Sequence, residues 1–150
     1  MKVLIVCSGN SGFISPFILD QAKSLKKAGI SINYFTIKGN GLIGYSKNFN
    51  LLVKKIKAFK PDLIHAHYGF SGLLAALQRK IPVVTTFHGG DIYIEQNSLF
   101  HLFLSWVGSC LSGHNIFVNE TIPFLFKAKK YDVIPCGVDL KQFYFIDKIS

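Results

Sequence analysis

The sequence has few cysteines and almost no arginine. Cys7, Cys110 and Cys136 are its three cysteines, and their wide spacing excludes a CxxC motif and metal-ligand spacing. We therefore expect reduced thiols in a cytoplasmic protein rather than a disulfide framework. Arg79 is the single arginine. This scarcity argues against nucleic-acid binding, because base and phosphate recognition favours the bidentate guanidinium group.

Long hydrophobic runs are also missing. No stretch approaches the roughly 20 apolar residues that a transmembrane helix needs. The first residues, MKVLIVCSGN, contain only a short apolar run, which is too brief for the hydrophobic region of a secretory signal and predicts a first core strand. We expect a cytoplasmic protein, with the inner face of the cytoplasmic membrane as the alternative location.

The charge that is present comes from lysine. The formal net charge is +9, while hydrophobic residues make up 49% and charged residues 17% of the chain. The high apolar content excludes disorder and favours a sheet buried on both faces, or a surface that a partner or membrane covers. The lysines indicate a solvated surface or, alternatively, a surface that is attracted to anionic lipid head groups.

Strand and helix signals alternate along the whole chain. The predicted strands cover residues 3–7, 30–37, 62–66, 81–87, 115–118 and 132–135. The predicted helices cover 16–28, 46–59 with Ser46 as its cap, 72–80 and 98–111, and a last one begins near 121. This alternation predicts an α/β fold, a single Rossmann-like domain over 1–150 with a doubly wound parallel β-sheet flanked by helices. Such sheets bind ligands at the carboxyl ends of their strands, so function is sought in the loops there.

The loop after the first strand contains Gly9 and Gly12. Glycines let a backbone approach a ligand closely, and the helix that follows favours an anion at its amino end. The alternative is a tight turn without ligand contact. The loop lacks the GxGxxG fingerprint, and no acidic residue ends the second strand, so dinucleotide binding is not indicated.

Histidines follow the third and fourth strands. His65 and His67 lie two residues apart in HAHYG, so their side chains share one face of the strand. The neighbouring residues offer no further ligand to complete a metal site, which favours structural or cleft-lining histidines. His88 begins HGGD, where an imidazole can hydrogen-bond hydroxyl groups or face a developing charge. The alternative is a turn in which Asp91 caps the next segment and His88 is solvated.

The order of these segments carries more information than any one of them. A glycine loop, then KPDLIHAHYG, IPVVTTFHGGD and VIPCGVDLKQF, resembles the amino-terminal domain of the retaining GT-B glycosyltransferases of family four. The resemblance covers essentially the whole chain. That family includes many bacterial capsule, lipopolysaccharide and glycolipid sugar transferases, of the hexosyltransferase class.

The resemblance implies a division of labour between two domains. This domain would hold the sugar acceptor, a glycan or lipid-linked hydroxyl group. A carboxyl-terminal domain, absent from this chain, would hold the nucleoside-diphosphate (NDP) sugar that serves as donor. Transfer would proceed with retention and without a metal or other cofactor. Since the groups that stabilise the leaving diphosphate would lie in the absent domain, the chain alone is expected to be nearly inactive.

The resemblance also assigns roles to individual residues. His88 falls on the family's active-site histidine and is the expected catalytic residue, in contact with the donor sugar. Cys136 stands where the family most often has asparagine, so a capping hydrogen bond is missing there. The expected substrate-binding residues are Gly9, Gly12, His67, Gly89, Gly90 and Asp91.

Other interpretations are a non-catalytic docking subunit of a split glycosyltransferase and a nucleotide- or cofactor-binding Rossmann module. The apolar segment 98–111 has two interpretations as well. We expect it to be buried between the sheet and its neighbouring helices, and the alternative is contact with a membrane interface.

Overall fold

Six parallel strands form one sheet in the computed structural model of the chain. The structure describes residues 1–39, 41–90, 99–126, 128 and 130–137. The strands are β1 (Lys2–Ser8), β2 (Ser31–Ile37), β3 (Leu63–His67), β4 (Val83–Phe87), β5 (His114–Phe117) and β6 (Tyr131–Val133). The helices are α1 (Pro16–Lys27), α2 (Gly41–Phe59), α3 (Gly69–Ala76), α4 (Leu99–Leu111) and α5 (Thr121–Phe126). The doubly wound α/β fold predicted from the sequence is confirmed.

The strand order is β2-β1-β3-β4-β5-β6, so the chain reverses direction across the sheet between β1 and β3. Helices consequently cover both faces. Val3 and Ile5 of β1 pack with α1 on one face, while Leu4 and Val6 pack with α2 and α3 on the other. Burial on both faces explains why β1 is a continuous apolar run without alternation.

The predicted start of α2 is wrong. The helix begins at Gly41, and Ser46 lies inside it, where its hydroxyl group donates to the carbonyl of Ile43 at 3.0 Å. The buried side chain of Asn48 fastens this helix to the edge of the sheet, because its amide donates to the carbonyls of Gly44 and of Lys38, just beyond β2.

The helix α3 also begins earlier than predicted, at Gly69 rather than at residue 72. The preceding residue, Tyr68, has φ 71° and ψ 150°, a backbone conformation that residues other than glycine rarely adopt. This sharp turn starts the helix directly after β3. The helix then packs very closely on α4, since a Cβ atom on Gly69 would overlap the side chain of Ser105.

The helix α4 does not bury its large apolar side chains, although the sequence led us to expect their burial. It buries Ser105, Gly108 and Ser109, and Ser109 accepts a hydrogen bond from Asn115 of β5 through its carbonyl group. Its large side chains face outward instead, namely Leu99, Phe100, Phe103 and Trp106. The expected burial of the apolar segment is therefore wrong for these residues. Small residues face inward because α3 lies too close to admit larger ones.

Replacing Gly108 with alanine tests this close packing. In an ordinary helix this change stabilises by up to about 1 kcal/mol. Here the new Cβ would lie 2.8 Å from the carbonyl oxygen of Gly69, so we expect a net loss of about 1–3 kcal/mol in the free energy of unfolding. Urea denaturation measures it. Cys110→Ala, an exposed position on the same helix, is the control and should be neutral; a Gly108→Ala protein as stable as that control contradicts the packing described.

Candidate active site

The carboxyl ends of β3 and β4 lie side by side and form the centre of the site. Their register places His67 opposite Thr86, so the residue that follows β4 by one position, His88, reaches the same edge. His65, His67 and Thr86 point to the face that α1 covers, because Leu63 at the start of β3 packs in the α1 cluster. The two histidine segments predicted separately therefore form one group.

The three histidines are connected by short contacts. The rings of His65 and His67 stack with centroids 4.5 Å apart, and those of His67 and His88 stack at 5.4 Å. His67 Nδ1 lies 3.1 Å from His88 Nε2, and His65 Nε2 lies 2.8 Å from the hydroxyl oxygen of Thr86. Their nitrogens thus engage one another and Thr86 instead of converging on a common point, as metal ligands would.

The ring of His88 is held from several sides but stays partly accessible. Phe17 of α1 packs against it with ring centroids 4.5 Å apart, and Tyr68 does so at 5.0 Å. On its outer side Nδ1 faces the exposed thiol of Cys136 at 3.8 Å. His88 is half-buried, whereas His67 is fully buried. A ligand at this edge can therefore touch His88 but finds His67 covered behind it.

Burial keeps all three imidazoles neutral. Burial lowers the pKa of His88 to about 4. Burial, together with the neighbouring His88, lowers the pKa of His65 to about 4. The pKa of His67 falls well below its usual range for the same reason and because of both neighbouring histidines. At neutral pH His88 therefore carries no positive charge, and only hydrogen bonds are open to it.

Phe17, Tyr68 and Thr86 also belong to this site, and none of them was predicted from the sequence. The sequence contains a clue to the role of Tyr68, because this residue stands between the HAH motif and a glycine. Its strained backbone costs on the order of 1–3 kcal/mol. Its N–H donates to the carbonyl of Thr86 at 2.9 Å, which holds the turn against β4. No such clue exists for Phe17, because its contact with His88 depends on how α1 crosses the sheet.

The glycine loop has a mainly structural geometry. Gly9 donates its N–H to the carbonyl of Ile37 at 2.8 Å, and a Cβ there would lie 2.8 Å from Cβ of Thr36. Gly12 has φ 82°, and its N–H donates to the carbonyl of Gly9 at 3.1 Å. Since both N–H groups are engaged, the loop as it stands offers neither to a phosphate. The substrate-binding roles of these two glycines stay predictions.

The turn after β4 also has a conformational requirement. Gly89 is buried and has φ 94°, a value that favours glycine and lets the chain turn away immediately after His88. Gly90 follows at the surface. Asp91 lies outside the described residues, so its expected roles as acceptor ligand and as cap stay predictions. The same holds for the binding roles of the two glycines.

A family model describes nearly the whole chain. The model of Glycosyltransferase Family 4 matches residues 3–142. The chain belongs to this family. No protein among those with curated functions matches it in sequence.

Solved structures confirm the GT-B fold of this domain. Sucrose-phosphate synthase from Thermosynechococcus elongatus superposes with a TM-score of 0.79 at 15% identity, over 97% of this chain and 50% of that one. The lipopolysaccharide outer core galactosyltransferase WaaB, in its apo form, gives 0.70 at 12% identity, over 93% and 47%. UDP-GlcNAc 2-epimerase from Methanocaldococcus jannaschii gives 0.65 at 15% identity, over 89% and 45%. The chain thus spans about half the length of each of these three structures.

The buried histidines predict how the family 4 domain responds to acid. Below about pH 6.5 an unfolded histidine takes up a proton, whereas folded His65 resists it down to a pKa of about 4. The free energy of unfolding should therefore fall as the pH drops from about 7 to about 5, by about 2 kcal/mol for His65 alone.

Urea denaturation at several pH values, compared with His65→Gln, measures this dependence. The glutamine cannot titrate, so the variant should lose about a third of the slope, while His67 and His88, whose pKa values are also lowered, keep the rest. Equal slopes in the two proteins would show that His65 does not resist protonation in the fold.

Proposed function

We propose that this domain is the acceptor side of a retaining glycosyltransferase. It would bind a hydroxylated acceptor, a glycan or a lipid-linked sugar, at the edge where β3 and β4 end. A second domain would bring an NDP-sugar to the same edge. WaaB, one of the structures with this fold, is named for lipopolysaccharide synthesis, and we propose a related role in a bacterial surface polysaccharide.

The observation that carries the proposal is the position of His88. It is the one of the three stacked histidines that is only half-buried, and its free side lies at the carboxyl edge of a parallel sheet, where this architecture binds ligands. Phe17 and Tyr68 fix its ring in place. An imidazole so fixed can bind an oxygen atom without paying for reorganisation during the reaction.

The same edge favours an anionic ligand. The first turn of α1 begins at Ser15 and Pro16, contains no acidic residue, and brings Phe17 against His88. Since the side chain of Ser15 makes no capping bond, the positive end of the helix dipole lacks a side-chain acceptor there. We propose that the donor diphosphate approaches this end, with Gly12 and Gly89 providing the narrow turns around it. We also propose that no metal or other cofactor takes part.

His88→Ala tests the proposed catalytic role. In the complete enzyme, with the nucleotide-sugar domain present, the variant should lower kcat/KM for sugar transfer by about 100-fold or more, because a preorganised hydrogen-bonding group is lost. His114→Ala is the matched control, since His114 pairs with Asp132 at the surface, at the opposite end of β5. Radiolabelled sugar transfer measures both. Turnover by His88→Ala equal to that of the control would remove His88 from the chemistry.

We propose that the outward face of α4 rests on a membrane, at the inner surface of the cytoplasmic membrane. Phe103 and Trp106 are 54% and 43% exposed, and their rings lie 6.0 Å apart. Arg79 and Lys80 line a cavity of about 360 Å³ together with Cys110 at the carboxyl end of this helix. An apolar face with a basic flank suits an anionic bilayer surface. No described helix is both long and apolar enough to span a bilayer.

Sedimentation with phosphatidylglycerol vesicles tests this contact. Phe103→Ser combined with Trp106→Ser should weaken vesicle binding by about tenfold or more, since each ring contributes more than about 1 kcal/mol when buried in lipid. Ile134→Ser is the control, a side chain that is 51% exposed just beyond the edge strand β6. Circular dichroism checks folding. Equal binding by the α4 double variant and the control contradicts the proposal.

A further inference from the structure

The contact between His67 and His88 couples the proton positions of two rings. Their facing nitrogens are 3.1 Å apart, so one must carry a hydrogen and the other a lone pair. Whichever ring donates here, the position of its hydrogen also decides what its other nitrogen can do. The structure shows both of those outer nitrogens, and their surroundings differ.

His67 Nε2 lies in the protein interior. The His67 side chain is fully buried, and this nitrogen has no hydrogen-bond partner among the residues that the structure describes. His88 Nδ1 lies on the accessible side of the site, where the Sγ atom of the exposed Cys136 is 3.8 Å away. One outer nitrogen is therefore enclosed without a partner, and the other is open to a ligand.

Two proton arrangements satisfy the central contact. In the first, His88 donates from Nε2, and His67 must then carry its own hydrogen on Nε2, as a buried N–H without an acceptor. In the second, His67 donates from Nδ1, and its buried Nε2 keeps only a lone pair. Orphaned buried N–H groups are rarer in proteins than acceptors lacking a full set of donors, which favours the second arrangement.

We infer that His67 is a positioning residue that holds His88 in the Nδ1–H tautomer, so that His88 offers a hydrogen-bond donor to a ligand oxygen. The inference rests on the proposed function only for the identity of that ligand, a hydroxyl or phosphate oxygen of a sugar substrate. The proton arrangement is a property of this chain alone. It replaces the expected role of His67 as a substrate ligand, because a fully buried ring cannot reach one.

The chemistry of the site follows from this arrangement. With its only lone pair turned to His67, neutral His88 cannot accept a proton from an acceptor hydroxyl, and it acts as a fixed donor instead. His65 supports the arrangement from behind, because its ring stacks on His67 and its Nε2 contacts the hydroxyl group of Thr86 at 2.8 Å. The thiol of Cys136 is a weak hydrogen-bond acceptor, which an oxygen of a ligand would displace from Nδ1.

Nuclear magnetic resonance of the chain with ¹⁵N-labelled histidine tests the inference without any enzyme activity. Long-range ¹H–¹⁵N correlations distinguish the two tautomers of each ring, and His88→Ala assigns the His88 signals by their loss. We expect His67 and His88 both to be protonated on Nδ1 at neutral pH. An Nε2-protonated His88 would overturn the inference.

Two variants separate positioning from a merely structural role. His67→Leu removes the donor, so the Nε2–H form of His88 should appear. His67→Asn restores it, because the amide nitrogen of asparagine is the same number of bonds from Cα as Nδ1, and the Nδ1–H form should return. If the His88 tautomer is the same in wild type and His67→Leu, His67 does not control it.

The complete enzyme provides an independent readout. His67→Leu should lower kcat by about 100-fold, as expected for loss of one oriented donor, and His67→Asn should recover most of it. Unchanged kcat in His67→Leu would overturn the inference while leaving the glycosyltransferase assignment intact. If instead the two rings have the expected tautomers but the protein transfers no sugar when its partner domain is present, the proposed function is refuted and the inference about His67 stands.

Discussion

The site depends on the direct pairing of β3 with β4. This pairing brings a fully buried imidazole, His67, within 3.1 Å of the half-buried His88. A histidine removed from water can hydrogen-bond only to other protein groups, and it stays neutral because a buried charge without a partner is costly. The orientation, charge state and accessible atom of His88 all follow from that requirement. The sheet thus supplies a fixed neutral donor at an edge that a ligand can reach.

The sequence predicted the elements and their order well, because their signals are local. Val3 to Cys7 form an unbroken apolar run, Gly29 ends α1, and Lys60-Pro61 ends α2, each for a reason contained within a few residues. The local capping signal of Ser46 predicted the wrong start for α2, which begins at Gly41. Nor could a local signal show the hydrogen bond from Asn48 to Lys38, which joins the helix to the end of β2.

The site was predictable in its composition but not in its connections. Histidines at the ends of adjacent strands pointed to His65, His67 and His88, and the resemblance to family four pointed to His88 among them. Other features of the site depend on distances between elements. These features are the burial of His67, the packing of Phe17 on the ring of His88, and the inward orientation of the small residues of α4. Such distances are set by packing, for example by the overlap that any side chain at Gly69 would make with Ser105.

A crystal structure of the complete enzyme with a bound, non-reacting nucleotide sugar tests the central claim most directly. We expect an oxygen of the sugar or diphosphate within hydrogen-bonding distance of His88 Nδ1, in the place now faced by the thiol of Cys136. His67 Nδ1 should still contact His88 Nε2. A ligand bound elsewhere, with His88 Nδ1 contacting only protein atoms, would show that this edge of the sheet is not the sugar-binding site.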